Sequence, residues 1–209
     1  MTTGVPVQSI QVLFWDVGGV LLTNAWDHTE RDRASAKFSL NKEDFERRHK
    51  EVVADFERGK LSLDDYLARV VFYQTRNFSR DEFRKFMFSL SQPKPEVLEF
   101  ARVLSTKYLM GTINNESREL NEYRLQQFGL REIFDLFVSS CYVGLRKPGE
   151  QIYRLALDLI QKSADQCCFI DDRPENLEGA AKVGMPTVLM QNPVQLKRDL
   201  QNLGVSSAA

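Results

Sequence analysis

The chain is short of several things, and each shortage closes off a class of protein. It contains no run near the roughly 18 consecutive apolar residues that a membrane-spanning helix needs. Its first eleven residues, small or polar one after another with no basic cluster, do not read as a secretory leader. With 28 Lys and Arg against 29 Asp and Glu, the net charge is -1, so there is no basic stripe to hold nucleic acid or an anionic membrane. Cysteine occurs only at 141, 167 and 168; an odd count with an adjacent pair inside an apolar run points to reduced core thiols in a cytoplasmic protein, not to disulfides or a metal site. Repeats and low-complexity segments are absent too, apart from a small-residue tail over 205–209 expected to fray. What is left is an ordinary globular composition, 43% hydrophobic and 27% charged over 209 residues, long enough for one or two domains with a proper core.

The stretch Val12-Leu13-Phe14-Trp15-Asp16-Val17-Gly18-Gly19-Val20-Leu21-Leu22 organises the rest. Four apolar residues run into one carboxylate and glycines follow at once, the pattern of a strand buried on both faces. Asp16 is thereby delivered to the carboxyl end of a strand, the edge where open parallel sheets bind ligands. The glycines let bare backbone approach a ligand, while the full G-x-G-x-x-G nucleotide fingerprint is missing.

After that strand the pattern turns helical over 27–88. A helix is expected over 27–38. A second starts at Asn41, carries Phe45, Val52, Val53 and Phe56 at helical spacing, and stops at Gly59. Ser62 with Asp65 and Ser79 with Glu82 are capping-box starts for two more. Beyond Pro93 and Pro95, strands and helices alternate: strands at 108–112, 136–139, 167–170 and 187–190, and helices beginning near Pro95, Glu116, Pro148, Pro174 and Val194. Such alternation specifies an α/β fold with a doubly wound parallel sheet. The helical block is an insertion after the first strand. The expected division is a core of residues 1–22 and 93–209 and a helical cap domain of residues 23–92.

Four features fall at strand ends or helix starts of this sheet: Asp16, Thr112, Lys147 before Pro148, and Asp171-Asp172. Each alone has an ordinary explanation, such as a turn residue, a solvated lysine or acidic residues favoured at a helix start. Together they describe phosphoryl transfer. Asp16 is a carboxylate nucleophile able to form an aspartyl-phosphate. Positive charge must offset its repulsion from a phosphate dianion. Asp16, Asp171 and Asp172 offer hard oxygen ligands for Mg²⁺, Lys147 adds a fixed cation, and the Thr112 hydroxyl with the Ile113 amide offers donors to phosphate oxygens.

These residues, in this order, resemble the haloacid dehalogenase-like (HAD) superfamily of phosphohydrolases over nearly the whole chain. The four motifs are Phe14-Trp15-Asp16-Val17-Gly18-Gly19-Val20, Thr112, Arg146-Lys147-Pro148, and Phe169-Ile170-Asp171-Asp172 with Asn176 and Gly179 downstream. The insertion falls where that family places a small helical cap on its Rossmann-like core. Glu57-Arg58-Gly59-Lys60-Leu61-Ser62, Thr112 to Asn115 and Gly144-Leu145-Arg146-Lys147-Pro148 are similar to the group typified by alpha-glucose-1-phosphate phosphatase. The resemblance implies Asp16 as nucleophile and metal ligand, the Gly18 carbonyl as a further ligand, and Asp171 or Asp172 holding Mg²⁺. It also implies Thr112 and Ile113 on phosphate, and Lys147 bracing nucleophile and phosphate. The implied activity is hydrolysis of a small phosphorylated metabolite, sugar phosphates included, with no nucleic-acid or membrane partner.

One departure stands out. Most phosphatases of this family carry a second aspartate two residues after the nucleophile, as general acid and base; here that position is Gly18. Asp27 and His28, at the start of the insertion, are the nearest replacements. Without one, the rate depends steeply on the leaving group. A haloacid dehalogenase, whose halide needs no proton, and a non-catalytic binding module are the competing readings; the crowding of Asp171-Asp172 near Asp16 argues against the first.

Overall fold

In a computed structural model describing residues 9–206, five strands form one fully parallel sheet: β1 (Val12–Trp15), β2 (Leu109–Asn114), β3 (Leu136–Ser139), β4 (Cys167–Asp171) and β5 (Thr187–Leu189). Their order is β3-β2-β1-β4-β5. The chain lays strands to one side of β1 and then crosses to the other, so the crevice beyond the ends of β1 and β4 is the switch point where such sheets bind ligands. Asp16 sits at that point, its backbone N–H donating to the Ile170 carbonyl at 2.8 Å.

Both faces of the sheet are covered, as the unbroken apolar runs require. Leu13, Trp15, Met110, Cys168 and Ile170 pack on one side with α5 (Pro95–Leu104) and α10 (Pro193–Asn202). Val12, Phe14, Ile113, Cys167 and Phe169 pack on the other with α8 (Glu150–Ile160) and α9 (Pro174–Lys182). The helix α6 (Arg118–Gln127) follows β2, and a short helix α7 (Ser140–Val143), not expected from the sequence, follows β3. All three cysteines are buried and free. In the expected tail, Val205 is buried against the core and residues 207–209 lie outside the described residues, as do residues 1–8. No helix among the described residues is long and apolar enough to cross a membrane.

The insertion folds as four helices, α1 (His28–Lys37), α2 (Lys42–Glu57), α3 (Leu63–Val70) and α4 (Arg80–Ser89), with both capping boxes in place. Their core is aromatic: Phe83 meets Trp26, Phe38, Phe45, Phe72 and Phe78 at ring-centroid distances of 4.9–6.4 Å, edge and offset contacts that add to the area term. Its two linkers run side by side. Thr23 N–H donates to the Gln92 carbonyl at 2.8 Å, and the Thr23 hydroxyl donates to the Leu90 carbonyl at 2.8 Å. The cap is seated on the core through the Ser140 hydroxyl, which donates to the Glu57 carbonyl at 2.7 Å, and through Gly59. A Cβ on Gly59 would stand 2.0 Å from the Cys141 carbonyl oxygen.

Candidate active site

Three carboxylates, those of Asp16, Asp171 and Asp172, bring oxygens within 4.8 Å of one another at the ends of β1 and β4. The turn after Asp16 is shaped for this: Gly19 has φ +77°, and a Cβ there would lie 2.0 Å from Asp172 Oδ2, so only glycine allows the backbone this close. Lys147 Nζ lies 2.8 Å from Asp16 Oδ1 and 2.6 Å from Asp171 Oδ2. Asp171 is fully buried and saturated, accepting also from the Arg173 backbone N–H at 2.8 Å and from Asn176 Nδ2 at 3.1 Å. Asp172 differs, because its buried Oδ1 has no hydrogen-bond partner among the described residues.

Burial pushes the Asp16 carboxyl up to about 7, Asp171 and Asp172 adding to the rise while Lys147 opposes it. Burial and then Asp171 raise Asp172 as well. For Lys147, burial works against the charged form, but Asp16 and Asp171 outweigh it and hold the ammonium above its usual range. Three carboxylates thus share one buried ammonium, and one of their oxygens is an orphan. That donor set, all hard oxygen with a deficit of positive charge, fits a Mg²⁺ ion that Asp16, Asp171 and Asp172 could hold.

A cavity of about 370 Å³ opens above this floor, with Asp16, Gly18 and Lys147 below and the cap residues Trp26, His49 and Phe56 above. The β2 strand brings Asn114 and Asn115 into its wall, whereas neither Thr112 nor Ile113 lines it. The structure thus keeps Thr112 and Ile113, the expected phosphate contacts, out of the cavity wall. The strand runs two residues further than the apolar pattern suggested, and Thr112 stands in register with Trp15, its buried hydroxyl inside the sheet layer. Neighbours in register on parallel strands share a face, so Thr112 points with Trp15 and not off the strand end. Asn115 serves another purpose: its Oδ1 accepts from the Lys147 N–H at 2.9 Å and its Nδ2 donates to the Lys147 carbonyl at 3.0 Å, pinning the backbone that carries the lysine.

The cap meets the core beside the cavity in two ion pairs, Glu57–Arg146 at 2.5 Å and Asp27–Arg173 at 2.8 Å. The second pair disposes of Asp27 as the missing acid. Although partial burial opposes it, the His28 backbone N–H and Arg173 hold its carboxyl below the usual range, so it is ionised at neutral pH. His28 does not line the cavity, and its side chain is 75% exposed. The sequence reading also missed His49, which lines the cavity and is fixed by Tyr66: Trp26 Nε1 donates to the Tyr66 hydroxyl at 2.8 Å, and that oxygen lies 2.8 Å from His49 Nδ1. Burial pushes the imidazole down to about 4, leaving a neutral polar group in the cap wall.

A doubly wound sheet that presents a buried aspartate beside a lysine and a carboxylate cluster, under an inserted helical cap, defines an aspartate-based hydrolase. The chain belongs to the haloacid dehalogenase-like hydrolases, whose family model matches residues 10–184. Among curated proteins it is 28% identical over 221 residues to Phosphatase MT3486 of Mycobacterium tuberculosis, covering 94% of this chain and 96% of that protein. It is 36% identical to mouse bifunctional epoxide hydrolase 2 over 74 residues, 35% of this chain, and there it spans only 13% of the relative's length. Among solved structures, a HAD family enzyme of Bacteroides thetaiotaomicron in complex with magnesium and inorganic phosphate shares the fold with a TM-score of 0.72 at 18% identity, over 88% of this chain and 95% of that one.

Proposed function

We propose that this hydrolase is a Mg²⁺-dependent phosphatase of small phosphorylated metabolites, sugar phosphates among them. The observation that carries the reading is the incomplete charge of the floor: Asp16, Asp171 and Asp172 gathered within 4.8 Å around one lysine, with Asp172 Oδ1 unpartnered. Asp16 is the nucleophile and, with the Gly18 carbonyl and Asp172, a ligand; Asp171 holds Lys147 in place. Mg²⁺, when bound, supplies the positive charge that lets a carboxylate approach a phosphate dianion. Lys147 braces Asp16 and the phosphate, and Asn114, at the end of β2 in the cavity wall, takes the donor role expected of Thr112 and Ile113. Residues 23–92 act as the cap that screens the phosphoryl group from bulk water. A cavity of about 370 Å³ suits a metabolite-sized ester and not a folded phosphoprotein.

The bacterial relative called a phosphatase supports the reaction class. Dehalogenation fits the absence of an acid at Gly18 but leaves the Asp172 cluster without a purpose, and a binding module has no need of Lys147 held between two buried carboxylates. Phosphate release from p-nitrophenyl phosphate and a panel of sugar phosphates, with Mg²⁺ and with EDTA, tests the reading. Release that requires Mg²⁺ is expected. Metal-independent halide release from 2-haloacids without any phosphate release would replace it.

A further inference from the structure

The position of the missing acid is bordered by side chains from elsewhere in the fold. A Cβ built on Gly18 would have Arg124 Nη1 at 3.4 Å and Asn24 Oδ1 at 3.2 Å, so the space that a side chain at 18 would enter is bordered by a guanidinium. Arg124 lies in α6, is 3% exposed and lines the cavity with Asp16 and Gly18. Its fork is fixed on every side. Nη1 donates to Glu116 Oε2 at 3.1 Å, Nε to the Ser91 hydroxyl at 3.1 Å and Nη2 to the Thr23 carbonyl at 2.6 Å. The last two partners belong to the two cap linkers, so the same cation that faces Gly18 also ties both linkers to the core.

We propose that Arg124 is a catalytic residue that takes over part of the task of the absent aspartate by holding the negative charge that develops on the leaving oxygen. The assignment rests on the phosphatase reading above. In the step concerned, Asp16 forms a bond to phosphorus and the bond from phosphorus to the ester oxygen breaks. That oxygen departs with the electron pair. Arg124 donates hydrogen bonds to the oxyanion and keeps its own protons, since a guanidinium does not deprotonate in proteins, and solvent water supplies the proton that the alcohol gains. A preorganised donor aimed at developing charge is worth most in a water-poor site. Glu116 is the positioning residue, its carboxylate setting the direction of Nη1.

The test is kcat/KM, which reports the first chemical step, over a series of phosphate monoesters from p-nitrophenyl through phenyl to a sugar 6-phosphate, in saturating Mg²⁺. For R124M the alkyl ester is expected to lose about 10²- to 10³-fold, the range seen when one oxyanion donor is removed, while the p-nitrophenyl ester loses less than about tenfold, because a good leaving group needs little stabilisation. An equal loss across the series makes Arg124 structural and overturns the assignment. T23V, which removes the side-chain hydrogen bond between the two linkers and leaves the Thr23 carbonyl that Arg124 uses, keeps the wild-type slope; a slope as steep as that of R124M would show that the linkers, not the charge, set it. R124K, the milder change that keeps a cation but not the fork, decides the matter if R124M does not fold. Its loss should again fall on the alkyl ester more than on the p-nitrophenyl ester. An equal loss across the series overturns the proposal. A wild type inert toward every ester in Mg²⁺ would instead remove the phosphatase reading itself, and this assignment with it.

Discussion

The floor of the cavity and its roof are built on opposite plans. In the floor, Asp16, Lys147 and Asp171 are 8%, 4% and 0% exposed, and Lys147 contacts the two carboxylates at 2.6 and 2.8 Å. The two aspartates stand at the ends of neighbouring strands whose ladder leaves no freedom of register, and Lys147 reaches them from the loop before α8. The roof is aromatic and neutral at Trp26, His49 and Phe56, and its ties beside the cavity are the pairs Glu57–Arg146 and Asp27–Arg173, the second with side chains 32% and 44% exposed. A buried ion pair that loses one member costs several kcal/mol, whereas a half-exposed pair contributes at most about 1 kcal/mol. The floor therefore holds its charges in one geometry, whereas the exposed Asp27–Arg173 tie of the roof contributes little.

The largest effect expected from breaking this contrast is at Asp16. D16N should lose at least about 10⁴-fold in kcat, as removal of a nucleophile does, with its melting temperature held or raised in metal-free buffer because a crowded buried carboxylate is gone. Near-wild-type turnover would dismiss the covalent route. Next is Lys147: K147M strands Asp16 and Asp171 without their cation and should cost about 3–5 kcal/mol of metal-free stability in urea melts, part of it restored by Mg²⁺. A small loss would mean that water or another cation already screens the floor.

The two neighbouring aspartates sharpen the comparison inside the floor. D172N should raise the Mg²⁺ concentration for half-maximal activity at least about tenfold and leave metal-free stability almost unchanged. D171N should cost about 1–3 kcal/mol, since it disturbs the bonds from Lys147, Asn176 and the Arg173 backbone. Identical behaviour of the two would refute the division of labour between them.

Stability should also depend on pH with a sign the floor dictates. Asp16 and Glu116 are both pushed up to about 7 by burial, well above their unfolded values near 4. The folded state then holds their protons more tightly, so their contribution is present below about pH 4 and is lost as pH rises through about 7. Metal-free protein should melt at falling temperature over that window, saturating Mg²⁺ should flatten the fall, and D16N should remove only the share due to Asp16. The smallest effect belongs to the roof: R173A should change stability by no more than about 1 kcal/mol while speeding amide exchange at the start of α1. An R173A loss as large as that of K147M would erase the distinction between floor and roof.

Much of this was legible in the chain. The alternation after Pro93, the capping boxes at Ser62 and Ser79 and the apolar run into Asp16 are local signals, and the elements follow them closely. What misled was the end of β2. The expected strand stopped at Thr112, where the apolar run ends, but β2 continues to Asn114, which is buried, its Nδ2 donating to Asn121 Oδ1 at 3.1 Å. Arg124 gave no signal at all. It sits in Arg118–Gln127, a helix of mostly polar residues, and a cation there looks like a solvated one until the fold brings Thr23 and Ser91 to meet it.

The sequence by itself determined that there would be a parallel sheet, an inserted helical block, an aspartate and a paired aspartate at strand ends, and a lysine before a helix start, because hydrophobic period, caps and glycines act over a few residues. Only the tertiary structure decided which aspartate oxygen stays unpartnered, which asparagines reach the cavity and which cation stands at Gly18. Those facts depend on strand register and on contacts between residues far apart in the chain, such as Arg124 to Thr23 at a separation of 101, and no local pattern encodes them.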